Sequence, residues 1–264
     1  MSEFLGIDIK TLDNGGFQFY QTGLIRKVLE STGMEDCNGL PTPTKVEAPL
    51  RIDINGSEAK RDWPNSYAYV IEMMLYLAPN KIPDISFAVH QCAWFTHNTK
   101  VSHETALKRI CSDIHSTEDN DLVFNPSKKL VVDCYADADF AGLWGHEDPQ
   151  DPICARSRTG FVVTFSNFPL LLVSKLQTEI AISTLHSEYM EFPHSVRALL
   201  PLKILIKEVI ENLGIDSENL KFVSSSTIYE DNNGAIVAAT IPRMIPTSKH
   251  IAVKYHWFRQ HVGK

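Results

Sequence analysis

The sequence contains no long apolar run and no paired cysteines. None of its apolar stretches approaches the roughly 20 residues that a membrane-spanning helix needs, and its first residues lack the charged and apolar regions of a signal peptide. The five cysteines are widely scattered, and none of them forms a Cys-x-x-Cys pair. These absences argue against a membrane partner and against a disulfide framework. They favour an intracellular protein of the cytoplasm or the nucleus.

An excess of positive charge is also absent. The formal net charge is -7, and an acidic chain is a poor non-specific binder of nucleic acid because Lys and Arg supply most of the affinity for phosphate. The stretch after Asp231 differs, since it carries Lys and Arg but neither Asp nor Glu. On charge alone, a phosphate-binding surface and an ordinary solvated helix face fit this basic stretch equally well.

An average composition predicts a packed globular protein. Of the 264 residues, 44% are hydrophobic and 22% are charged, which suits one large domain or two ordinary ones. An Asn-Gly-Gly turn at residues 14–16 predicts a β-hairpin between two apolar runs. A helix is expected over residues 21–32, with Gly33 ending it. Residues 38–65 are rich in Pro, Gly and charge, which indicates a linker or a surface loop.

The middle of the chain changes from helical to strand patterns. Residues 66–117 have the apolar spacing of buried helices, and Pro83 suits the first turn of one of them. From residue 121 onward the apolar runs are β-branched and bounded by turn residues, as strands are. Three strands are expected here, over residues 130–135, 159–165 and 170–175, with a turn at Ser166 and Asn167 between the last two.

Two helices and a further strand are expected after these three strands. The first helix begins at Ser183 or Thr184 and contains Pro193, which we expect to break or kink it. The second helix ends at Gly214, and the strand that follows switches to a helix at Asp231. Antiparallel strands followed by a crossover predict an α/β fold of the mixed α+β kind. Its mixed sheet carries helices on its faces and follows a small helical subdomain and a β-hairpin.

Three acidic residues stand where a strand ends or a helix begins. Asp137 and Asp231 each end a predicted strand, and Glu188 lies in the first turns of a predicted helix. If the two strands are neighbours, a helix packed across them can bring all three carboxylates together. Such a cluster repels itself unless a cation neutralises it, and oxygen ligands favour Mg²⁺ or Mn²⁺. Two such ions can activate water for phosphodiester cleavage.

Spacing alone leaves a simpler interpretation open for each of these residues. An Asp at the end of a strand is more often a turn or cap residue than a metal ligand. A Glu in a helix is by default a solvated surface group. Asp139, the second Asp of the "DAD" stretch, can likewise be interpreted as a turn or cap residue or as a metal ligand.

Several motifs resemble, in the same order, the polyprotein of copia-type LTR retrotransposons. They are "YADADFAG", "SRTGFVVTF", "SKLQTEIAISTLHSEYM", "YEDNNGAI" and "SKHIAVKYHWFRQHV". Upstream, "FLGIDI", "YLAPNKIPDISFAVHQCAWFTHN" and "SHETALKRI" resemble the end of the family's reverse transcriptase and the region that follows it. The resemblance covers nearly the whole chain.

This resemblance implies a ribonuclease H, an endonuclease that hydrolyses the RNA strand of an RNA–DNA hybrid with two Mg²⁺ (or Mn²⁺) ions. It implies catalytic and metal-binding roles for Asp137, Glu188 and Asp231, and we interpret Asp139 as a supporting turn residue. The implied partners are an RNA–DNA hybrid or another nucleic acid, and the rest of the polyprotein. The candidates for contact with the nucleic-acid backbone are Lys249, His250, Lys254 and Arg259.

The resemblance also divides the chain into three regions. Residues 1–45 match a remnant of the reverse transcriptase palm, 46–120 a helical thumb or connection region, and 121–264 a ribonuclease H-like domain. The polymerase aspartate pair and the last strand of the ribonuclease H sheet, with the fourth carboxylate beyond it, are expected to lie outside this sequence. "LHSEY" also stands where the family has "EAEY".

The predicted function is therefore hydrolysis of hybrid RNA without a polymerase active site. The alternative is a catalytically dead remnant that at most binds nucleic acid or protein.

Overall fold

The chain folds into two compact units. The computed structural model describes residues 2–45, 50, 53, 55–59, 63–125, 130–144, 152–214, 226–241 and 256–262. The first unit is Met1–Asn125 and the second is Pro126–Lys264. Within the described residues, no helix combines the length and the apolar character needed to cross a membrane. The predicted boundary near residue 45 stays a prediction.

A four-stranded antiparallel sheet forms one part of the first unit. Its strands, in their order across the sheet, are β1 (Ser2–Phe4), β2 (Ile7–Thr11), β3 (Phe17–Tyr20) and β4 (Leu122–Phe124). The predicted hairpin between β2 and β3 is confirmed. Gly15 takes a φ of 80°, which a side chain would strain, and the backbone N–H of Gly16 donates to Asn14 Oδ1 (2.9 Å).

Among the described residues of the first unit, four helices supply the apolar core. They are α1 (Thr22–Thr32), α2 (Tyr67–Asn80), α3 (Ser86–Ala93) and α4 (Val101–Ser116). Their buried faces meet through side chains such as Val28, Met74, Leu77 and Ile110. The predicted helices are confirmed here, and Pro83 opens a short 3-10 helix directly before α3. Such a core is expected when apolar residues recur on one face of each helix.

The second unit is built on a mixed four-stranded sheet. Its strands are β5 (Val132–Asp139), β6 (Arg158–Phe165), β7 (Phe168–Leu176) and β8 (Ile228–Tyr229), in the spatial order β7-β6-β5-β8. The pairs β5–β6 and β6–β7 are antiparallel, whereas β5 and β8 are parallel. The turn between β6 and β7 is the predicted one, with positive φ at Ser166 and Asn167. The predicted fold class, mixed α/β, is confirmed.

One long helix corrects the prediction of two helices after β7. Helix α5 (Thr184–Asn212) runs for 29 residues through Pro193 and Pro201. A proline inside a helix costs about 3 kcal/mol, and burial of each large apolar side chain contributes about 1.5–3 kcal/mol. The buried stripe of α5 continues past Pro193, from Phe192 to Val196 and Leu199. This burial offsets the cost of the proline, so the helix stays continuous.

The described residues of the second unit also include two short elements. Helix α6 (Asn233–Thr240) buries its alanines against α5, and a 3-10 helix (Trp257–His261) packs beside them. Phe258 is wholly buried and stacks on Phe192, with ring centroids 5.2 Å apart. These contacts hold α6 and the 3-10 helix against α5.

The first turn of α5 allows a stability prediction. Ser183 is the N-cap, and its hydroxyl accepts the backbone N–H of His186 (3.1 Å). Ser183→Ala leaves that N–H without its acceptor and is expected to lower the free energy of unfolding by about 1 kcal/mol. Urea unfolding measures this loss. Ser183→Thr keeps the acceptor and should cost less, so equal losses for the two variants would contradict the assignment.

Candidate metal centre

The parallel pair of strands brings two aspartates to one edge of the second sheet. Tyr135 of β5 lies opposite Tyr229 of β8. Asp137 and Asp231 each follow two residues later, and parallel strands end at the same edge. Helix α5 packs against β5 and carries Glu188 in its first turns. Ligand oxygens of Asp137, Glu188 and Asp231 all lie within 4.8 Å of one another.

The three carboxylates of this triad differ in burial. Asp137 and Asp231 are exposed, whereas Glu188 is only 6% exposed. Glu188 accepts the backbone N–H of Ala138, and its Oε2 has no hydrogen-bond partner in the described part of the chain. Burial raises the pKa of Glu188 to about 8, and the negative charges of Glu230 and Asp137 add to this effect. The metal-free triad therefore holds a proton near neutral pH.

The donor set fits a hard divalent cation. The triad offers only carboxylate oxygens, which Mg²⁺ and Mn²⁺ prefer. The orphan Oε2 of Glu188 and the mutual repulsion of the three groups would both be relieved by a shared cation. The exposed aspartates leave room on the solvent side for water and a substrate.

Two further glutamates, missed by the sequence reasoning, lie behind the triad. Glu191 is wholly buried, with Oε2 accepting from Ser195 Oγ (3.4 Å) and Oε1 unpartnered among the described residues. Burial, followed by the charge of Glu230, raises its pKa well above the ordinary value. Glu230 has its own pKa raised, chiefly by burial. The spacing from Glu188 to Glu191 is i, i+3, which places both on one helix face and could have been recognised.

The buried Glu191 allows a second stability prediction. Its raised pKa means that folding takes up a proton above the ordinary pKa of a glutamate, so stability falls as pH rises there. Glu191→Gln is expected to change the free energy of unfolding little at pH 4, where the carboxyl is protonated in the folded chain and mostly protonated in the unfolded chain. The same substitution should raise that free energy at pH 8 in the metal-free chain. Urea unfolding at both pH values tests this, and an equal loss at both would show that the proton of Glu191 is a required donor.

Asp139 lies outside the triad. It is exposed at the end of β5. Burial lowers the pKa of the Arg158 guanidinium, and the negative charge of Asp139 opposes this shift in part. A Cβ on Gly142 would stand 1.9 Å from Asp139 Oδ2, so the turn after β5 brings its backbone close to this carboxylate. Its assignment as a supporting turn residue stays a prediction.

Most of the predicted nucleic-acid contacts lie outside the described residues. This applies to Lys249, His250 and Lys254. Arg259 is described, and its guanidinium hydrogen-bonds the hydroxyl of the buried Tyr189. The same hydroxyl lies 2.7 Å from His256 Nδ1. Arg259 therefore ties the 3-10 helix to α5, and its contact with nucleic acid stays a prediction.

Comparison with known proteins identifies relatives along nearly the whole chain. The chain is 29% identical over 259 residues, 98% of its length, to the retrovirus-related Pol polyprotein from transposon RE1 of Arabidopsis thaliana. It is 28% identical over 249 residues to that from transposon TNT 1-94 of Nicotiana tabacum, with 92% of the chain matched. These matches span 16% and 17% of the two polyproteins, about a sixth of each.

A shorter relative matches over most of its own length. This is the uncharacterized mitochondrial protein AtMg00810 of Arabidopsis thaliana, 30% identical over 186 residues, which are 70% of this chain and 72% of that protein. No family model and no solved structure matches the chain. The ordered motifs and these relatives lead to one conclusion: the chain belongs to the retrovirus-related Pol polyproteins of copia-like transposons.

Proposed function

We propose that the second unit is a ribonuclease H-like nuclease that hydrolyses RNA paired with DNA. The observation that carries this proposal is the convergence of Asp137, Glu188 and Asp231, whose ligand oxygens lie within 4.8 Å of one another. Asp137 comes from β5, Glu188 comes from α5, and Asp231 comes from the segment after β8. We further propose Mg²⁺ or Mn²⁺ as the cofactor and other Pol polyprotein segments as partners.

The chain's own part in the reaction is to hold and orient three carboxylates. The hydrogen-bonded β5–β8 pair positions Asp137 of β5 near Asp231, which follows the end of β8 by two residues. The N–H of Ala138 fixes one oxygen of Glu188 and leaves the other free. A divalent cation bound there would supply a Lewis acid for the phosphodiester and an activated water.

The exposed side of the triad suits a large substrate. Asp137 and Asp231 face solvent, so a nucleic-acid strand can approach them without opening the fold. The negative net charge of the chain disfavours binding of the phosphate groups of a nucleic acid unless a cation lies between the carboxylates and the strand. Substrate binding and metal binding are therefore expected to depend on each other.

The test is cleavage of a labelled RNA–DNA hybrid by the purified chain. We expect RNA fragments in Mg²⁺ or Mn²⁺, none in EDTA, and none from the same RNA as a single strand or from a DNA duplex. Circular dichroism verifies that the sample is folded. A folded chain that binds the hybrid without cutting it would contradict the nuclease and favour the binding module, and a chain that does neither would favour an inert remnant.

A further inference from the structure

A cavity of about 820 Å³ lies within the first unit, between α3, α4 and the segment after α1 that begins at Leu40. We call it the α3–α4 cavity. Helix α3 contributes Ala88, Gln91 and Cys92 to its lining, and α4 contributes a face that begins at Ser102. Cavities of about 300–1,000 Å³ are typical of sites for small organic ligands. None of the residues that form the triad lines this cavity, so the proposed nuclease leaves it unexplained.

The floor of the α3–α4 cavity is apolar and belongs to the core of the first unit. Ala88, Cys92 and Ile110 line it, and each is no more than 2% exposed. Ala106 lies one turn before Ile110 on α4, lines the cavity and packs against the same core. Because these side chains are held by the packing of α3 and α4, the floor is preformed. An apolar group placed on it would leave water at little ordering cost to the protein.

The rim of the cavity carries an excess of positive charge. Lys45 and Lys108 are exposed and Arg109 is half-buried, and all three line the cavity. Asp53 is the only carboxylate among the described lining residues, and it already accepts a hydrogen bond from Ser102 Oγ (2.8 Å). This local excess of cations contrasts with the net charge of -7 on the whole chain. The rim therefore favours an anion.

Arg109 keeps hydrogen-bond donors for such an anion. A guanidinium has five N–H donors, and Arg109 Nη2 donates to Thr42 Oγ1 (2.7 Å). Its Nε has no hydrogen-bond partner among the described residues. Burial raises the pKa of Asp113, four residues further on, to about 6, and the positive charge of Arg109 opposes this shift. Ionised Asp113 thus offsets part of the charge of Arg109, whereas the free donors still lack an acceptor that an anionic oxygen supplies.

We infer that the α3–α4 cavity binds an amphipathic organic anion, a small molecule with one carboxylate, sulfonate or phosphate group on an apolar body. The apolar body covers the floor at Ala88, Cys92 and Ile110, and the anionic group faces Arg109 and the two lysines of the rim. An uncharged molecule leaves the cations without a partner, and inorganic phosphate leaves the floor in water. The inference goes beyond the proposed function, because it concerns the first unit and requires no cleavage.

The test uses 8-anilinonaphthalene-1-sulfonate, a sulfonate on an aromatic body that fluoresces when it is bound. Titration of the full chain should show one saturable site, and decanoate should compete for it. Arg109→Gln is expected to weaken binding of this probe about tenfold, because it removes a charged donor. Binding of N-phenyl-1-naphthylamine, the same aromatic body without the sulfonate, should change less than about twofold.

Two further variants locate the site. Ala106→Trp places a large side chain in the cavity and should weaken both probes. Arg26→Gln is the control, since Arg26 lies exposed on α1, pairs with Glu118 (3.0 Å) and does not line the cavity. It should leave both probes unaffected. Near-UV circular dichroism and a cooperative melt verify each sample, because loosely packed chains also bind the sulfonate probe. If Arg109→Gln does not fold, Lys108→Gln tests the same charge at the exposed rim.

Several results would overturn the inference. They are the absence of saturable binding by the folded wild-type chain, equal weakening of both probes by Arg109→Gln, an equal effect of Arg26→Gln, and unchanged binding in Ala106→Trp. Competition by inorganic phosphate but not by decanoate would assign the cations to phosphate alone and would also overturn it. Each of these outcomes is independent of hybrid cleavage, so the inference and the proposed function can fail separately.

Discussion

Replacing Asp137 by asparagine is expected to abolish metal-dependent cleavage of the hybrid. The substitution keeps the size of the side chain and removes one of the three carboxylates that face the proposed cation site. Substitution of groups that only support a metal ligand costs about 10–100-fold in affinity or activity. We therefore expect a loss of at least about 100-fold for a ligand itself, together with weaker Mn²⁺ binding measured by calorimetry.

Asp139→Asn is the matched control for this experiment. Asp139 lies on the same strand, is also exposed, and contributes no oxygen to the triad. This variant should retain cleavage and Mn²⁺ affinity close to those of wild type. If Asp137→Asn retained full activity, the cleavage would have to come from another site or from a contaminating nuclease. If both variants were inactive to the same degree, the distinction between ligand and supporting residue would be wrong.

Stability of the metal-free chain is expected to fall as pH rises from about 4.5 to about 8. The pKa of Glu188 is raised from its ordinary value of 4.5 to about 8, first by burial and then by Glu230 and Asp137. Between these values the unfolded chain has released the proton and the folded chain has kept it, so higher pH favours unfolding. Glu188 alone contributes up to about 1.4 kcal/mol per pH unit within this window. Above pH 8 its contribution is constant.

A divalent cation should reverse this trend. Under the proposed function Mg²⁺ would bind the ionised carboxylates of the folded chain, so its stabilising effect should increase as the proton on Glu188 is lost. Calorimetric melting between pH 5 and pH 8.5, in EDTA and in Mg²⁺, measures both effects. Glu188→Gln should reduce the slope of the pH profile in EDTA, leaving the part that Glu191 and Glu230 contribute, and should remove the gain from Mg²⁺. A wild-type profile that is flat in EDTA would contradict the raised pKa.

Local patterns were sufficient to predict most helices and turns. The turn at residues 14–16 and the turn at Ser166 and Asn167 depend on residues that tolerate positive φ, and this preference is a property of a few adjacent residues. The N-cap at Ser183 is equally local. The continuity of α5 could not be predicted from Pro193 alone, because the stabilising burial on both sides of the proline involves the sheet and α6.

Sequence motifs were sufficient to predict only part of the candidate site. Asp137, Glu188 and Asp231 could be selected from the sequence by their positions in matched motifs. Glu191 was missed, because a glutamate in a helix is solvated by default and only the packed structure shows that it is buried behind the triad.

The sequence by itself determined the secondary structure of most elements, the family of the chain and the identity of the three candidate ligands. The secondary structure depends on local side-chain and backbone preferences, whereas the family and the three ligands were implied by the resemblance of short motifs. Only the tertiary structure decided that the parallel pairing of β5 with β8 and the packing of α5 bring these ligands within 4.8 Å of one another. It also decided that Glu188 is the buried member, because burial and charge repulsion arise only when distant segments come into contact.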